Sequence, residues 1–222
     1  MTLAETLRVV FIPPHPAGRP FIAAGVALLL AGLLVSPWLA WPALGYTLFS
    51  LYFFRDPERV APPWPGVVVA PADGRVVAVG LAVPPAELGL GPEPRPRVAI
   101  FLSVLNVHVN RMPATGSVTR IAYHAGQFLN ASLDKASDLN ERNALALRLP
   151  DGREMAVVQI AGLIARRIIC TVREGQALGV GARFGMIRFG SRTDLYLPDG
   201  VQPLVAVGQT MVGGETVIAE LA

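Results

Sequence analysis

A Gly-Ser bond at the start of a strand, close to a C-terminus, is a place where a polypeptide can cut itself. Gly190-Ser191 has that setting, within Phe184-Gly-Met-Ile-Arg-Phe-Gly-Ser-Arg-Thr-Asp-Leu-Tyr-Leu-Pro198. The Ser191 hydroxyl would attack the Gly190 carbonyl, which the missing glycine side chain leaves accessible on a backbone free to bend. An N-to-O acyl shift gives an ester. Removal of the serine α-proton expels the ester as a carboxylate, and the dehydroalanine left behind hydrolyses, with loss of ammonia, to a pyruvoyl group. The product is a chain-terminal ketone that no ordinary side chain supplies. The dipeptide alone is common, so its company in the chain decides the reading.

Both halves of that chemistry need a proton acceptor near neutral pH. Histidine is the usual one, oriented by a carboxylate. His15 lies in Pro13-Pro-His-Pro-Ala-Gly-Arg-Pro20, too early in the chain for this role, and His124 follows Tyr123 at a strand end, where a surface position is expected. His108 sits in Ser103-Val-Leu-Asn-Val-His-Val-Asn-Arg-Met-Pro113, among strand residues and beside Asn106, Asn110 and Arg111. Its rival role is that of a satisfied core histidine. The best carboxylate is Asp73 in Ala70-Pro-Ala-Asp-Gly-Arg75, by itself an ordinary turn signature. The single cysteine, Cys170, excludes an internal disulfide and a cysteine-built metal cage, and suits a small apolar core position.

The elements that must position these groups follow from the pattern of the rest. Of 222 residues, 52% are hydrophobic and only 16% charged, which points to membrane contact. No charged residue occurs from Phe21 to Phe54, and Pro37 and Pro42 interrupt that run. Two short helices, about 21–36 and 39–54, fit the interruption better than one straight span of about 20 residues. Arg8 and Arg19 before the run and Arg55 and Arg59 after it favour both ends on the cytoplasmic side, hence a hairpin that spans or dips into the bilayer. A cleavable signal peptide fits poorly, because the run starts late and is too long. Beyond it, β-branched runs such as Val67–Ala70, Gly74–Gly80, Val98–Leu102 and Gly116–Tyr123 are bounded by Gly or Pro. Ala144–Leu149 and Glu154–Ile160 flank Pro150-Asp-Gly-Arg153, a hairpin signal. Leu163–Val172, Arg192–Leu197 and two runs within Val205–Leu221 continue the series, Asn130–Arg142 reads as helix or loop, and 81–97 as an exposed loop. The expected fold is mainly β with minor α: a helical hairpin in residues 1–56, then a compact many-stranded β domain over 57–222.

Four stretches now carry a resemblance. Ala70-Pro-Ala-Asp-Gly-Arg75, Asn106-Val-His-Val-Asn-Arg-Met-Pro113, Asn140-Glu-Arg-Asn143 and Phe189-Gly-Ser-Arg192 occur in the order and spacing of the phosphatidylserine decarboxylase family, and Phe53-Phe-Arg-Asp-Pro57 looks like its entry motif. The likeness spans about 50–200, with the apolar lead resembling the short, membrane-associated branch. It implies a self-cleaved precursor with chains 1–190 and 191–222, Ser191 becoming the pyruvoyl group, and Asp73 and His108 serving self-cleavage and later proton transfers. It implies no metal and no pyridoxal phosphate. Two departures stand out: the cut reads Phe-Gly-Ser-Arg where the best-known form has Leu-Gly-Ser-Thr, and Arg111 stands where the long branch has a second histidine.

The implied substrate, phosphatidylserine, agrees with the chemistry, since a pyruvoyl ketone condenses with an amine and withdraws the electrons left by departing carbon dioxide. Arg111 and Arg142 are candidates to bind its phosphate or carboxylate. Glu141 is expected to position Arg142 or cap a helix, and Asn106 and Asn110 to be structural. The net charge of +3 comes from scattered arginines, so anionic lipid is the expected partner and nucleic acid is not; homo-oligomers are compatible with it. The expected location is the cell membrane, with the β domain in the cytoplasm. Two alternatives stay open. One is a membrane-tethered biotinyl- or lipoyl-like adaptor, against which stands the lone Lys135 outside any central turn. The other is the same chemistry on another serine lipid, such as an ether-linked archaetidylserine.

Overall fold

The computed structural model describes residues 12–126, 140–162 and 167–221. Arg8, Lys135 and all but the end of the Asn130–Arg142 stretch lie outside the described residues, as does the start of the Leu163–Val172 run. The chain forms two units, Met1–Glu58 and Arg59–Ala222.

The first unit is a helical pair, α1 (Arg19–Val35) and α2 (Pro37–Phe53), with a single 3-10 turn over Pro16–Gly18 ahead of it. The break is local chemistry. Pro37 begins α2 and disfavours a helical Ser36, whose backbone is extended at φ −164°. The helices cross on small residues: a Cβ at Gly25 would lie 2.6 Å from Thr47 Oγ1, and one at Gly32 would lie 2.8 Å from the Ala40 nitrogen. The segments entering and leaving the pair are stitched together, His15 N–H donating to Phe54 O at 2.7 Å and Asp56 N–H to Pro13 O at 3.0 Å. Both ends of the hairpin therefore lie at one side of the pair. Leu34, Val35 and Trp38 at the bend are exposed. The helical stretch Pro16–Val35 is long and apolar enough to cross a membrane.

Among the described residues the second unit has thirteen strands: β1 (Val67–Val69), β2 (Gly74–Ala82), β3 (Arg95–Leu102), β4 (Val109–Arg111), β5 (Gly116–His124), β6 (Arg142–Arg148), β7 (Glu154–Ala161), β8 (Arg167–Cys170), β9 (Ala177–Leu178), β10 (Arg183–Arg188), β11 (Ser191–Tyr196), β12 (Thr210–Met211) and β13 (Val217–Glu220). Eight form one sheet in the order β12-β2-β3-β11-β7-β6-β5-β9. A smaller sheet runs β4-β10-β8, and β1 pairs with β13. The expected hairpin closes β6 on β7, Arg148 opposite Glu154.

The main core lies on one face of the large sheet. Val98, Ile100, Leu145, Leu147, Val157 and Leu195 pack there with Val68, Phe184 and Ile218 of the other two sheets and with Met112 just after β4. The opposite face is covered as well. Leu88 and Leu90 pack on Ala144, Ala146, Ala156, Val158, Ile160 and Tyr196. This corrects the expectation of an exposed loop over 81–97. β2 continues to Ala82, β3 begins at Arg95, and the Pro/Gly-rich segment between them plugs the sheet with two buried leucines. With both faces covered, every residue of β11 is buried, polar ones included.

Candidate active site

Ser191 opens β11 in the middle of the large sheet, opposite Leu102 of β3 on one side and Ala161 of β7 on the other. It is completely buried, and its Oγ has no hydrogen-bond partner among the described residues. The chain reaches it from β10 through two consecutive left-handed residues, Phe189 at φ +64° and Gly190 at φ +58°. For Phe189 that conformation costs about 1–2 kcal/mol. At Gly190 the need is conformational rather than spatial: the nearest atom to a built Cβ would be Val104 Cγ1, at 3.9 Å. A strained turn thus delivers an unspent hydroxyl into a dry interior.

His108 immediately precedes β4, whose pairing with β10 sets Asn110 opposite Gly185. Its carbonyl accepts from Ile187 N–H at 3.2 Å, four residues before Ser191. The ring is fully buried, with Nδ1 3.0 Å from the Asn106 carbonyl. A carbonyl only accepts, so Nδ1 carries a proton, and in the neutral form of the ring Nε2 is the acceptor. Asn106 is structural as expected, its Oδ1 accepting from Ser103 N–H at 2.9 Å and Ser103 Oγ–H at 2.7 Å.

Asp73 stands just before β2, and β2, β3 and β11 run in register through Arg75, Phe101 and Arg192. Asp73 and Ser191 therefore lie at the same end of the sheet, where β3 ends and the segment to His108 begins. The Asp73 carboxylate accepts from Arg59 Nη2 at 3.1 Å and from Gly213 N–H at 2.7 Å. Arg111 belongs to this end too: its N–H donates to Pro71 O at 2.8 Å, and its Nη1 to Gly181 O at 3.0 Å.

Arg142 does not join them. It lies in register with Ile160 and Arg192, on the face of the sheet away from Ser191. It binds Glu87 at 2.7 Å and lines a cavity of about 360 Å³ with Asp194 and Tyr196. Burial opposes the charged form of Glu87, but Arg142 and the backbone hold its carboxyl below the usual range. Among the described residues, Glu141 accepts from Tyr123 O–H at 3.1 Å. On the same rear face Arg192 grips Asp194 twice, at 2.6 and 2.9 Å, and Arg97 lies 3.6 Å from that carboxylate. Burial, then the Asp194 charge, pushes the Tyr196 phenol up to about 12.

Sequence reasoning missed a buried amide layer beside Ser191. Asn143 Nδ2 donates to Gln159 Oε1 at 2.9 Å, and Gln159 Nε2 donates to Asn110 Oδ1 at 2.8 Å. Gln159 is opposite Thr193, one pleat from Ser191 on the same face of β11. The small sheet lies over it: a Cβ at Gly185 would strike the Ile169 carbonyl and lie 3.0 Å from Gln159 Nε2. The signal was faint, a single Gln inside Met155-Ala-Val-Val-Gln-Ile160. Asn140, from the same motif as Asn143, donates to Ala161 O at 2.7 Å and anchors the strand end beside Ser191.

Comparison with known proteins agrees with this geometry. The family described as phosphatidylserine decarboxylase matches residues 46–219. A phosphatidylserine decarboxylase proenzyme of Granulibacter bethesdensis is 66% identical, covering 100% of this chain and 91% of its own. The proenzymes of Gluconacetobacter diazotrophicus and Gluconobacter oxydans are 64% and 61% identical, each covering 100% of both chains. With the resemblance seen in four motifs now extended over the whole length, the chain belongs to the phosphatidylserine decarboxylase family.

Proposed function

We propose that this protein is a membrane-associated phosphatidylserine decarboxylase that cuts itself between Gly190 and Ser191 and works with the pyruvoyl group so formed. The observation that carries the reading is Ser191: a buried hydroxyl with no partner among the described residues, held behind two left-handed residues at the family's cut position.

In self-cleavage, Ser191 Oγ bonds to the Gly190 carbonyl carbon and the bond to the Ser191 nitrogen breaks, that nitrogen taking the hydroxyl proton. His108 Nε2 is the acceptor suited to relaying this proton and to removing the Ser191 α-proton. The Cβ–Oγ bond then breaks, Gly190 leaves as a carboxylate, and water releases the former serine nitrogen as ammonia. Asp73, fixed by Arg59 and Gly213, supplies the negative charge that favours a protonated His108 between steps. A pyruvoyl ketone at this position would supply a carbonyl for the serine amine and a sink for the electron pair left by carbon dioxide. His108 returns a proton to the substrate α-carbon, and Arg111 adds positive charge at the same end of the sheet.

The helical pair suits this substrate, because each buried methylene of a diacyl lipid adds about 0.8 kcal/mol of anchoring. In our reading it holds the β domain at the cytoplasmic face of the membrane, where the headgroup is reached without extracting the tails. The test is borohydride reduction of the purified protein with phosphatidylserine vesicles. The lipid becomes fixed to the 191–222 chain, and Ser191→Ala loses both trapping and carbon dioxide release. Decarboxylation persisting in Ser191→Ala would refute the reading.

A further inference from the structure

The amide layer has a direction. Gln159 Nε2 also faces the Ile169 carbonyl at 3.4 Å, and a carbonyl only accepts. That fixes the Gln159 amide, which forces Asn110 to present Oδ1 to it and Asn143 to present Nδ2. Each amide donates to the next, so the relay polarises toward its end. The end is Asn110 Nδ2, a donor in a fully buried side chain with no partner among the described residues. Thr193 Oγ1, opposite Gln159 and on the Ser191 face of β11, is likewise fully buried and without a partner there. Two unspent donors beside a reactive serine are costly to keep dry unless something anionic uses them.

We infer that Asn110 Nδ2 and Thr193 Oγ1 form the receptor for the α-carboxylate of the bound serine headgroup. This rests on the decarboxylase reading and adds its specificity element: the ethanolamine product lacks the carboxylate and loses both bonds. The donors select substrate over product and let the product leave.

The experiment uses mature protein whose ketone has been reduced with borohydride, so that it binds lipid without turnover. Calorimetry with dihexanoyl phosphatidylserine and with its ethanolamine counterpart gives the selectivity. Thr193→Val is nearly isosteric and removes one donor. Gln159→Glu reverses the relay, since a carboxylate at 159 accepts from Asn110 Nδ2 and turns its Oδ1 outward. Each variant should bind the serine lipid about 10- to 100-fold more weakly, the usual loss for a hydrogen bond to a charged group. Affinity for the ethanolamine lipid should stay within about twofold. Equal weakening for both lipids, or unchanged affinity for the serine lipid, overturns the inference. So does loss of self-cleavage in both variants, which would assign the donors to the Gly190 carbonyl instead. Wild-type protein that releases no carbon dioxide from phosphatidylserine would sink the decarboxylase reading itself, a result distinct from these.

Discussion

Phe189 is the residue whose backbone bears most on the proposed self-cleavage. A phenylalanine at φ +64° is held there by its surroundings, and it stores energy next to the bond proposed to break. Phe189→Gly should release about 1–2 kcal/mol of that strain and slow self-cleavage by about tenfold, followed as disappearance of the precursor on a gel. Tyr196 gives a separate residue-scale test on the rear face. Its raised value means that the neutral phenol is favoured in the fold, so its contribution is complete below the ordinary tyrosine value near 10. It is lost as pH rises toward about 12. Between those limits the wild type should lose about 2–3 kcal/mol of stability relative to Tyr196→Phe, read from denaturant titrations at stepped pH.

At the scale of elements, β11 carries an unusual burden, because the proposed cut severs it from β10. What then holds it is its ladder to β3 and β7 and the clasp of Arg192, Asp194 and Arg97 behind the sheet. Removing one partner of a buried ion pair costs about 3–5 kcal/mol, so Asp194→Ala should lower the midpoint of thermal unfolding by about 10 °C. Much of this architecture was legible in the residues. Alternation and turn chemistry gave the β6–β7 hairpin, and Pro37 gave the break between α1 and α2. Ser191, His108 and Asp73 were singled out because each stands in a short motif with its own chemical logic, and the fold sets them at one end of the large sheet. Other features were hidden for physical reasons. Leu88 and Leu90 sit among prolines and glycines that signal a surface loop, yet they fill the rear of the sheet. Gln159 and Asn110 meet only because two sheets stack, which no local pattern encodes. Arg142 read as a binding cation from its motif, but pleat parity turns it to the other face.

The whole molecule combines a helical pair, apolar and exposed at its bend, with a β unit whose strands interlock across the proposed cut. The segment from Ser191 onward supplies β11 near the centre of the large sheet, β12 at its edge and β13 against β1. Two chains cut at the proposed place and interleaved in this way would stay together without a covalent link, so the fold would survive the break that makes the reactive group. The most direct test is the mass of the purified mature protein under denaturing conditions. Two species are expected, residues 1–190 and residues 191–222, the second lighter than its encoded mass because a blocked pyruvoyl group replaces serine. A single species at the mass of the intact 222-residue chain, in a preparation that releases carbon dioxide from phosphatidylserine, would contradict it.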